Sequence, residues 1–133
     1  MMFKVLIALL SILASLSAHA GTLVSFATLF SNPDAYHDQY LTVRGFVGID
    51  SLGHQYLFGT LEEARAKDYP GSIDILPLLD TDAPVPRLRN LSCAELYGAF
   101  HSWSNYITTD YLLSKAGGLR VKRVSACPRR AAS

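Results

Sequence analysis

The run LTVRGFV, residues 41–47, constrains the fold of this chain more than any other stretch. Apolar and polar residues alternate strictly in it, as in a strand with one buried face, and Gly45 stands at a buried position. An interior glycine weakens a flat strand, so it indicates a sharp bend or the close approach of another backbone. A long first strand that coils into both halves of a closed sheet would explain Gly45.

The run CAELYGAF, residues 93–100, repeats this design around Gly98. Setting Gly98 over Gly45 brings the apolar positions of the two runs into alignment. Three further strands are predicted from short apolar runs bounded by turn residues, at 54–59, 72–79 and 119–127.

Two short helices are predicted beside these strands. The first covers residues 22–31, with Thr22 or Ser25 as the N-cap, and the Asn32-Pro33 pair ends it. The second covers residues 60–69, where Thr60 and Glu63 have the spacing of a capping box and Pro70-Gly71 is the stop signal.

The last two strands are predicted to pair antiparallel, with Cys93 opposite Cys127 and Tyr97 opposite Arg123. In this register the apolar residues of the fifth strand change face halfway along it. A β-bulge near Lys122-Arg123 resolves that conflict. A disulfide would then fasten the base of the hairpin.

Residues 1–20 have the features of a secretory signal peptide. A single basic residue, Lys4, precedes an apolar run, and the small residues Ala18 and Ala20 place a cleavage site before Gly21. An uncleaved membrane anchor is the alternative, but the apolar run is shorter than the ~20 residues that span a bilayer. The predicted mature domain is 21–133, periplasmic or secreted, where a disulfide between two cysteines is the default.

Charge disfavours nucleic acid as the partner. The chain has 12 basic and 11 acidic residues, so the domain without Lys4 is formally neutral. All the acidic residues lie at or before Asp110, whereas a group of lysines and arginines follows it. One edge of the fold is therefore expected to be basic. In the alternative interpretation these residues are simply solvated charges on the tail and on one strand face.

The residues Asn32, Pro33 and Tyr36, followed by the glycine-centred strand, resemble the N-P-x-x-Y and V-x-V-x-G-x-V pattern of small exported bacterial domains with the OB (oligonucleotide/oligosaccharide-binding) fold. Where that group usually has Asp-Gly after the tyrosine, this chain has His37-Asp38. The resemblance implies a mainly β, five-stranded, partly open OB-like barrel and no particular activity.

No catalytic, metal or cofactor site is predicted. The histidines His37, His54 and His101 are each isolated in sequence, without a metal-binding spacing. The Asp80-Thr81-Asp82 segment lacks the rest of a calcium loop, and Asp74 is expected to face solvent from the third strand.

A binding surface is predicted instead. Ligands of OB barrels usually lie across the second and third strands, between two loops, and aromatic faces there stack on sugars or bases. The candidate binding residues are Arg44, His54, Tyr56, Tyr97, Trp103, Tyr106, Tyr111 and Arg123. In the alternative reading the long loop folds back and caps the open end of the barrel with Trp103, Tyr106, Leu112 and Leu113.

The leading hypothesis is a non-enzymatic exported binding module for an oligosaccharide, a peptide or an envelope protein. The rival is a structural or inhibitory accessory protein that acts through protein–protein contacts. A hydrolase ranks third, because no acid/base pair stands at a suitable spacing. The sequence leaves the oligomeric state open.

Overall fold

The computed structural model describes residues 22–76, 87–105 and 114–129, and it is mainly β. The predicted signal peptide, Tyr106, Tyr111, Leu112, Leu113 and the Asp80–Asp82 segment lie outside the described residues. The helices and strands are β1 (Leu23–Val24), α1 (Phe26–Ser31), β2 (Tyr40–Ile49), β3 (Gln55–Phe58), α2 (Leu61–Ala66), β4 (Ile73–Leu76), β5 (Cys93–Ser102) and β6 (Gly117–Ala126).

Five of these strands close into a barrel in the order β2, β3, β4, β6, β5 and back to β2. The β4–β6 pair is parallel and the other pairs of the ring are antiparallel. Outside the ring, β1 pairs in parallel with β2. The mainly β class and the five-stranded barrel with two short helices are confirmed, and this mixed barrel is compatible with an OB-like fold.

Strand β2 belongs to both halves of the barrel, as predicted. Its first part pairs with β5, its last part with β3, and Phe46 is paired with both Cys93 and Phe58. Gly45 lies just before this crossing, where a Cβ atom would lie 2.4 Å from the carbonyl oxygen of Phe58. Glycine is therefore needed because another backbone approaches too closely for any side chain.

Strands β5 and β6 adopt the register predicted from the sequence. Tyr97 pairs with Arg123, while the next residue, Gly98, pairs with Val121. Lys122 is therefore the extra residue of a β-bulge. Below the bulge, Cys93 and Cys127 form the predicted disulfide, with their Cα atoms 5.6 Å apart.

The barrel interior is a single apolar core. Inward residues come from every strand of the ring, and they include Leu41, Val43, Val47, Leu57, Ile73, Ile75, Leu96, Phe100, Leu119 and Val121. A second, smaller cluster forms outside the barrel wall, where α2 lays Ala64 over Tyr56 and Phe58 of β3. Helix α2 thus covers the outer surface of β3.

Both helices are shorter than predicted. Residues Leu23 and Val24 form β1 instead of helix, because β3 pairs only with the last part of β2 and leaves an earlier edge of β2 free. At that edge the Thr42 N–H donates to the Thr22 carbonyl at 3.0 Å, and Leu23 pairs with Thr42. Ser25 is the N-cap and accepts a hydrogen bond from the Thr28 N–H at 3.1 Å.

Helix α2 begins after Thr60, whose hydroxyl accepts a hydrogen bond from the Glu63 N–H at 3.1 Å. It ends at Ala66, since Lys67 has the left-handed φ of 55° that stops a helix. Among the described residues, no helix combines the length and the apolar character that a membrane crossing requires.

Candidate functional site

The predicted binding residues that the structure describes fall into separate parts of the barrel. Arg44, Tyr97 and Arg123 share the outer surface formed by β2, β5 and β6. Tyr56 lies in β3 and His54 directly before it, and Trp103 follows β5 in a short 3-10 turn. These residues therefore do not form one continuous site.

Two tyrosines and two cations lie together on the first of these surfaces. The ring centroids of Tyr40 and Tyr97 are 5.9 Å apart. The Arg123 guanidinium lies 4.5 Å from the centroid of Tyr97, and the Lys122 ammonium lies 5.8 Å from that of Tyr40. Both are cation–π distances. We call these four residues the tyrosine–cation face.

The β-bulge explains why two cations point the same way. Regular alternation would send one of two consecutive residues inward, but Lys122 and Arg123 are both exposed. Within the described part of the chain, neither forms an ion pair with a carboxylate. Tyr40 is 60% exposed beside them. The face therefore presents positive charge and aromatic surface to solvent.

Arg44 stands on the same outer surface but is already paired. Its Nη2 and Nε atoms donate to Oε1 of Glu95 at 2.6 and 2.8 Å. Glu95 lies directly opposite Arg44 on β5. This ion pair neutralises Arg44 at the edge of the tyrosine–cation face.

Further along β5, a group that sequence analysis missed surrounds Asp38. Its carboxylate lies 3.3 Å from Nε2 of His37 and 3.2 Å from Nδ1 of His101. Behind the rings, the Ser102 N–H donates to Nδ1 of His37, and Nε of Arg120 donates to Nε2 of His101, each at 3.0 Å. We call His37, Asp38 and His101 the histidine–aspartate cluster.

The two rear donors determine which nitrogen of each neutral ring carries the proton. A backbone N–H and an arginine Nε–H can only donate, so the ring nitrogens that face them hold lone pairs. Each neutral imidazole therefore carries its proton on the nitrogen that faces Asp38. The pKa of His101 is lowered, first by burial and then by the positive charge of Arg120.

The ligand atoms of this cluster are close enough together to hold a metal ion. A metal ion, however, needs the lone pairs of the two nitrogens that face Asp38. If these nitrogens gave their lone pairs to a metal, each ring proton would have to sit on the rear nitrogen. There it would face the Ser102 N–H or the Arg120 Nε–H, and the rear hydrogen bond would be lost. The arrangement therefore favours hydrogen bonding to a carboxylate over metal coordination.

Sequence analysis missed the cluster because its parts are distant in the chain. His37 and His101 are each isolated in sequence, and the antiparallel pairing of β2 with β5 brings them together. The Asp38 N–H donates to the Phe100 carbonyl at 2.7 Å and extends that pairing. The only local signal is the residue pair His37-Asp38 at a predicted turn.

The surface of β3, where OB barrels usually hold ligands, is largely covered in this chain. Tyr56 is 5% exposed beneath α2, and its ring packs against that of His54 with centroids 4.7 Å apart. Burial and the charge of nearby Asp74 raise the pKa of Tyr56 above its usual range. Of the two residues predicted here, only His54 is exposed.

Asp74 does not face solvent, so that prediction is wrong. It is 5% exposed, and its Oδ1 lies 2.9 Å from Nε2 of His54. Burial raises the pKa of Asp74, and the hydrogen bond from His54 opposes that shift. The outward side of β4 is covered because His54 and Tyr56 close over it, which the alternation of Ile73 and Ile75 could not reveal.

Trp103 is 7% exposed and packs over the strand seam between β4 and β6. Its Cζ2 atom would lie 3.0 Å from a Cβ placed on Gly118, next to the side chain of Leu76. The backbone N–H of Trp103 donates to the Ala116 carbonyl at 3.2 Å. In this position the indole covers the barrel wall and has no open face for stacking.

A groove of about 170 Å³ lies elsewhere, beside α2. Its lining residues include Phe58, Tyr69, Arg65 and Lys67. It shares no residue with the tyrosine–cation face.

Comparison with known proteins adds no assignment. No protein-family model and no curated protein matches this chain. A solved structure described as a putative aspartyl-tRNA synthetase from Leishmania major Friedlin aligns over 83% of this chain with a TM-score of 0.47 and 14% sequence identity. This chain spans 22% of the length of that protein.

Proposed function

We propose that this chain is an exported, non-enzymatic binding module that holds an acidic segment of a protein partner on its tyrosine–cation face. The observation that supports the proposal most is the β-bulge, which turns Lys122 and Arg123 to the same side above Tyr97 and Tyr40. Two cations without carboxylate partners among the described residues are suited to bind carboxylates from outside.

The composition and position of the face favour a protein or peptide over a small sugar. Tyrosine and arginine are enriched among the residues that contribute most to protein–protein binding. The face lies on the outer wall of a barrel, whereas small-molecule sites are concave. Tyr40 and Tyr97 offer apolar area, and Arg123 offers a planar group that binds a carboxylate through two N–H donors.

The face is also held in place before any ligand arrives. Tyr97 and Arg123 are paired residues of the β5–β6 hairpin, and the Cys93–Cys127 disulfide closes that hairpin at its base. Because the strands are fixed, binding loses less conformational entropy than binding to a mobile loop. The same disulfide and the signal-like residues 1–20 support export.

Nucleic acid is disfavoured as the ligand. The tyrosine–cation face carries only the two cations Lys122 and Arg123, and the carboxylates of Glu95 and Asp38 lie on the same surface. Affinity for a phosphate backbone requires a longer row of unpaired cations. An acidic oligosaccharide carries the same carboxylate chemistry and is the competing ligand in the experiment.

The test measures binding of fluorescein-labelled, glutamate- and tyrosine-rich peptides to residues 21–133 by fluorescence anisotropy. The variant Lys122→Glu/Arg123→Glu reverses both charges of the face. The matched control Arg65→Glu/Lys67→Glu makes the same charge change at the groove beside α2. We expect the first variant to weaken binding by at least about tenfold and the control to change it by less than about twofold.

Three results would contradict the proposal. Equal losses in the two variants would indicate a general effect of net charge. Tighter binding of uronic-acid oligosaccharides or single-stranded DNA than of the peptides, lost in the face variant, would reassign the ligand. Absence of binding by any acidic peptide at low salt would remove the proposed function altogether.

A further inference from the structure

The carboxylate of Asp38 receives two imidazole N–H donors whose direction is fixed from behind. His37 and His101 each hold a rear hydrogen bond from a group that can only donate, so neither ring can turn its proton away from Asp38 without losing a bond. The two side chains are 26% and 16% exposed. The pair is thus a preorganised receptor for one carboxylate.

Asp38 itself is loosely held in this receptor. Its side chain is 68% exposed, and its backbone has a left-handed φ of 62°, a conformation that costs most residues about 1 kcal/mol and glycine nothing. Its carboxylate approaches the rings from the solvent side. An incoming carboxylate can therefore reach the same two N–H groups when the Asp38 side chain turns outward.

The receptor lies on the same surface as the tyrosine–cation face. His101 follows Tyr97 by four residues on the same side of β5, a distance of about 13 Å along the strand. Arg120 lies between them on β6, opposite Ala99. An extended acidic segment that runs along β5 meets both places.

We propose that His37 and His101 form a carboxylate subsite, which Asp38 fills in the free protein and which a carboxylate of the bound partner takes over. The inference rests on the proposed function for its partner, but the subsite itself is a local property. Asp38 then acts as an internal competitor that weakens binding of acidic segments until its side chain is displaced.

The local test uses acetate as the probe. In Asp38→Gly the left-handed backbone is retained without strain and the receptor is emptied. We expect acetate to shift the ring resonances of His37 and His101 with saturation in NMR spectra, at a concentration at least about tenfold below that needed in the wild type. Chloride at equal ionic strength should not reproduce these shifts.

Two further variants keep this test decisive. Asp38→Gly/His101→Asn retains an N–H donor at the position of Nδ1 and should still bind acetate, whereas Asp38→Gly/His101→Leu should not. Unsaturable, equal shifts in all variants would overturn the subsite. Acetate binding that appears only after Zn²⁺ is added, and that a chelator abolishes, would replace it with a metal site.

The second measurement uses the acidic peptides. Asp38→Gly should bind them about tenfold more tightly than the wild type, while Glu62→Gln, which removes an exposed carboxylate from α2, should gain less than about threefold. Equal gains in peptide affinity in the two variants would show that Asp38 acts only through net charge. That result would refute its role as an internal competitor. Saturable acetate binding without peptide binding would retain the subsite and reject the proposed function.

Discussion

Replacing Gly98 with alanine tests whether the closely packed β-bulge is required for stability. A Cβ atom at this position would lie 2.0 Å from the carbonyl oxygen of Arg120, 2.7 Å from its carbonyl carbon and 3.0 Å from Cα of Val121. All three atoms belong to the backbone of β6, so no side-chain rotation relieves the contact. Ordinary contact begins at 3.4 Å, and β6 must therefore move by about 1.4 Å.

That movement has two energetic consequences. Overpacking a well-ordered interior typically costs about 1 to 3 kcal/mol. The shift also strains the hydrogen bonds of the pairs that flank the bulge, Gly98 with Val121 and Ala99 with Arg120, and loss of one bond costs about 1 kcal/mol. We therefore expect Gly98→Ala to lower the free energy of unfolding by about 3 kcal/mol.

Urea unfolding followed by Trp103 fluorescence and far-ultraviolet circular dichroism measures this change. With a denaturant dependence of about 1.5 kcal/mol per molar, the midpoint should fall by about 2 M. The matched control is Gly53→Ala, where no atom lies within 4 Å and only the φ of 84° opposes a side chain, at a cost of about 1 to 2 kcal/mol. A Gly98→Ala midpoint no lower than that of Gly53→Ala would refute the reasoning.

Three further predictions concern the disulfide, acid stability and processing. Replacing Cys93 and Cys127 together with serine should cost about 4 kcal/mol, from the loop that the bridge closes, and an unchanged urea midpoint would contradict this. The pKa of His101 is lowered from 6.5 in the folded protein, so below that pH the unfolded chain binds a proton more readily than the folded chain does. The contribution of His101 to the free energy of unfolding is therefore complete above about pH 6.5 and falls below it. His101→Asn should flatten that fall below about pH 6.5, measured by urea midpoints, and an equally steep fall in the variant would argue against it. Intact mass spectrometry of the protein exported by a bacterial host should show a chain that begins at Gly21. A mass that still includes residues 1–20 would disprove cleavage there.

Much of the barrel was predictable because its determinants are local. The alternation of residues 41–47 defines one buried face, and a glycine on that face indicates a close backbone approach. The β-bulge was predictable because regular alternation would put Val121 and Cys127 on the same face of β6, whereas Val121 must point inward and Cys127 outward. One extra residue in the strand satisfies both requirements. With two cysteines in the domain, one pairing was possible.

The boundaries of the helices were less predictable, because pairing between distant segments decides them. Residues 22–31 have helical spacing, yet Leu23 and Val24 extend along a part of β2 that no other strand covers. A free strand edge supplies backbone hydrogen bonds that replace those of a helical turn. No pattern within residues 22–31 contains that information.

The candidate sites divide in the same way. Sequence alternation correctly turned Tyr97 and Arg123 outward as a pair, and it failed at Asp74, since the residues that bury Asp74 come from another strand. Trp103 illustrates the same limit, because its indole is buried only where β6 offers the bare backbone of Gly118.

The sequence by itself determined the strand faces and the two glycine positions, since these follow from steric rules that act over a few residues. It also determined the disulfide and the bulge, since the domain has two cysteines and their pairing sets the register of β5 against β6. Tertiary structure alone decided which polar groups meet. Ser102 and His37 are 65 positions apart, and only the antiparallel pairing of β2 with β5 around the closed barrel brings His101 to His37 and Asp38. Such contacts depend on the register at which the ring of strands closes, and no short stretch of sequence specifies that register by its own pattern.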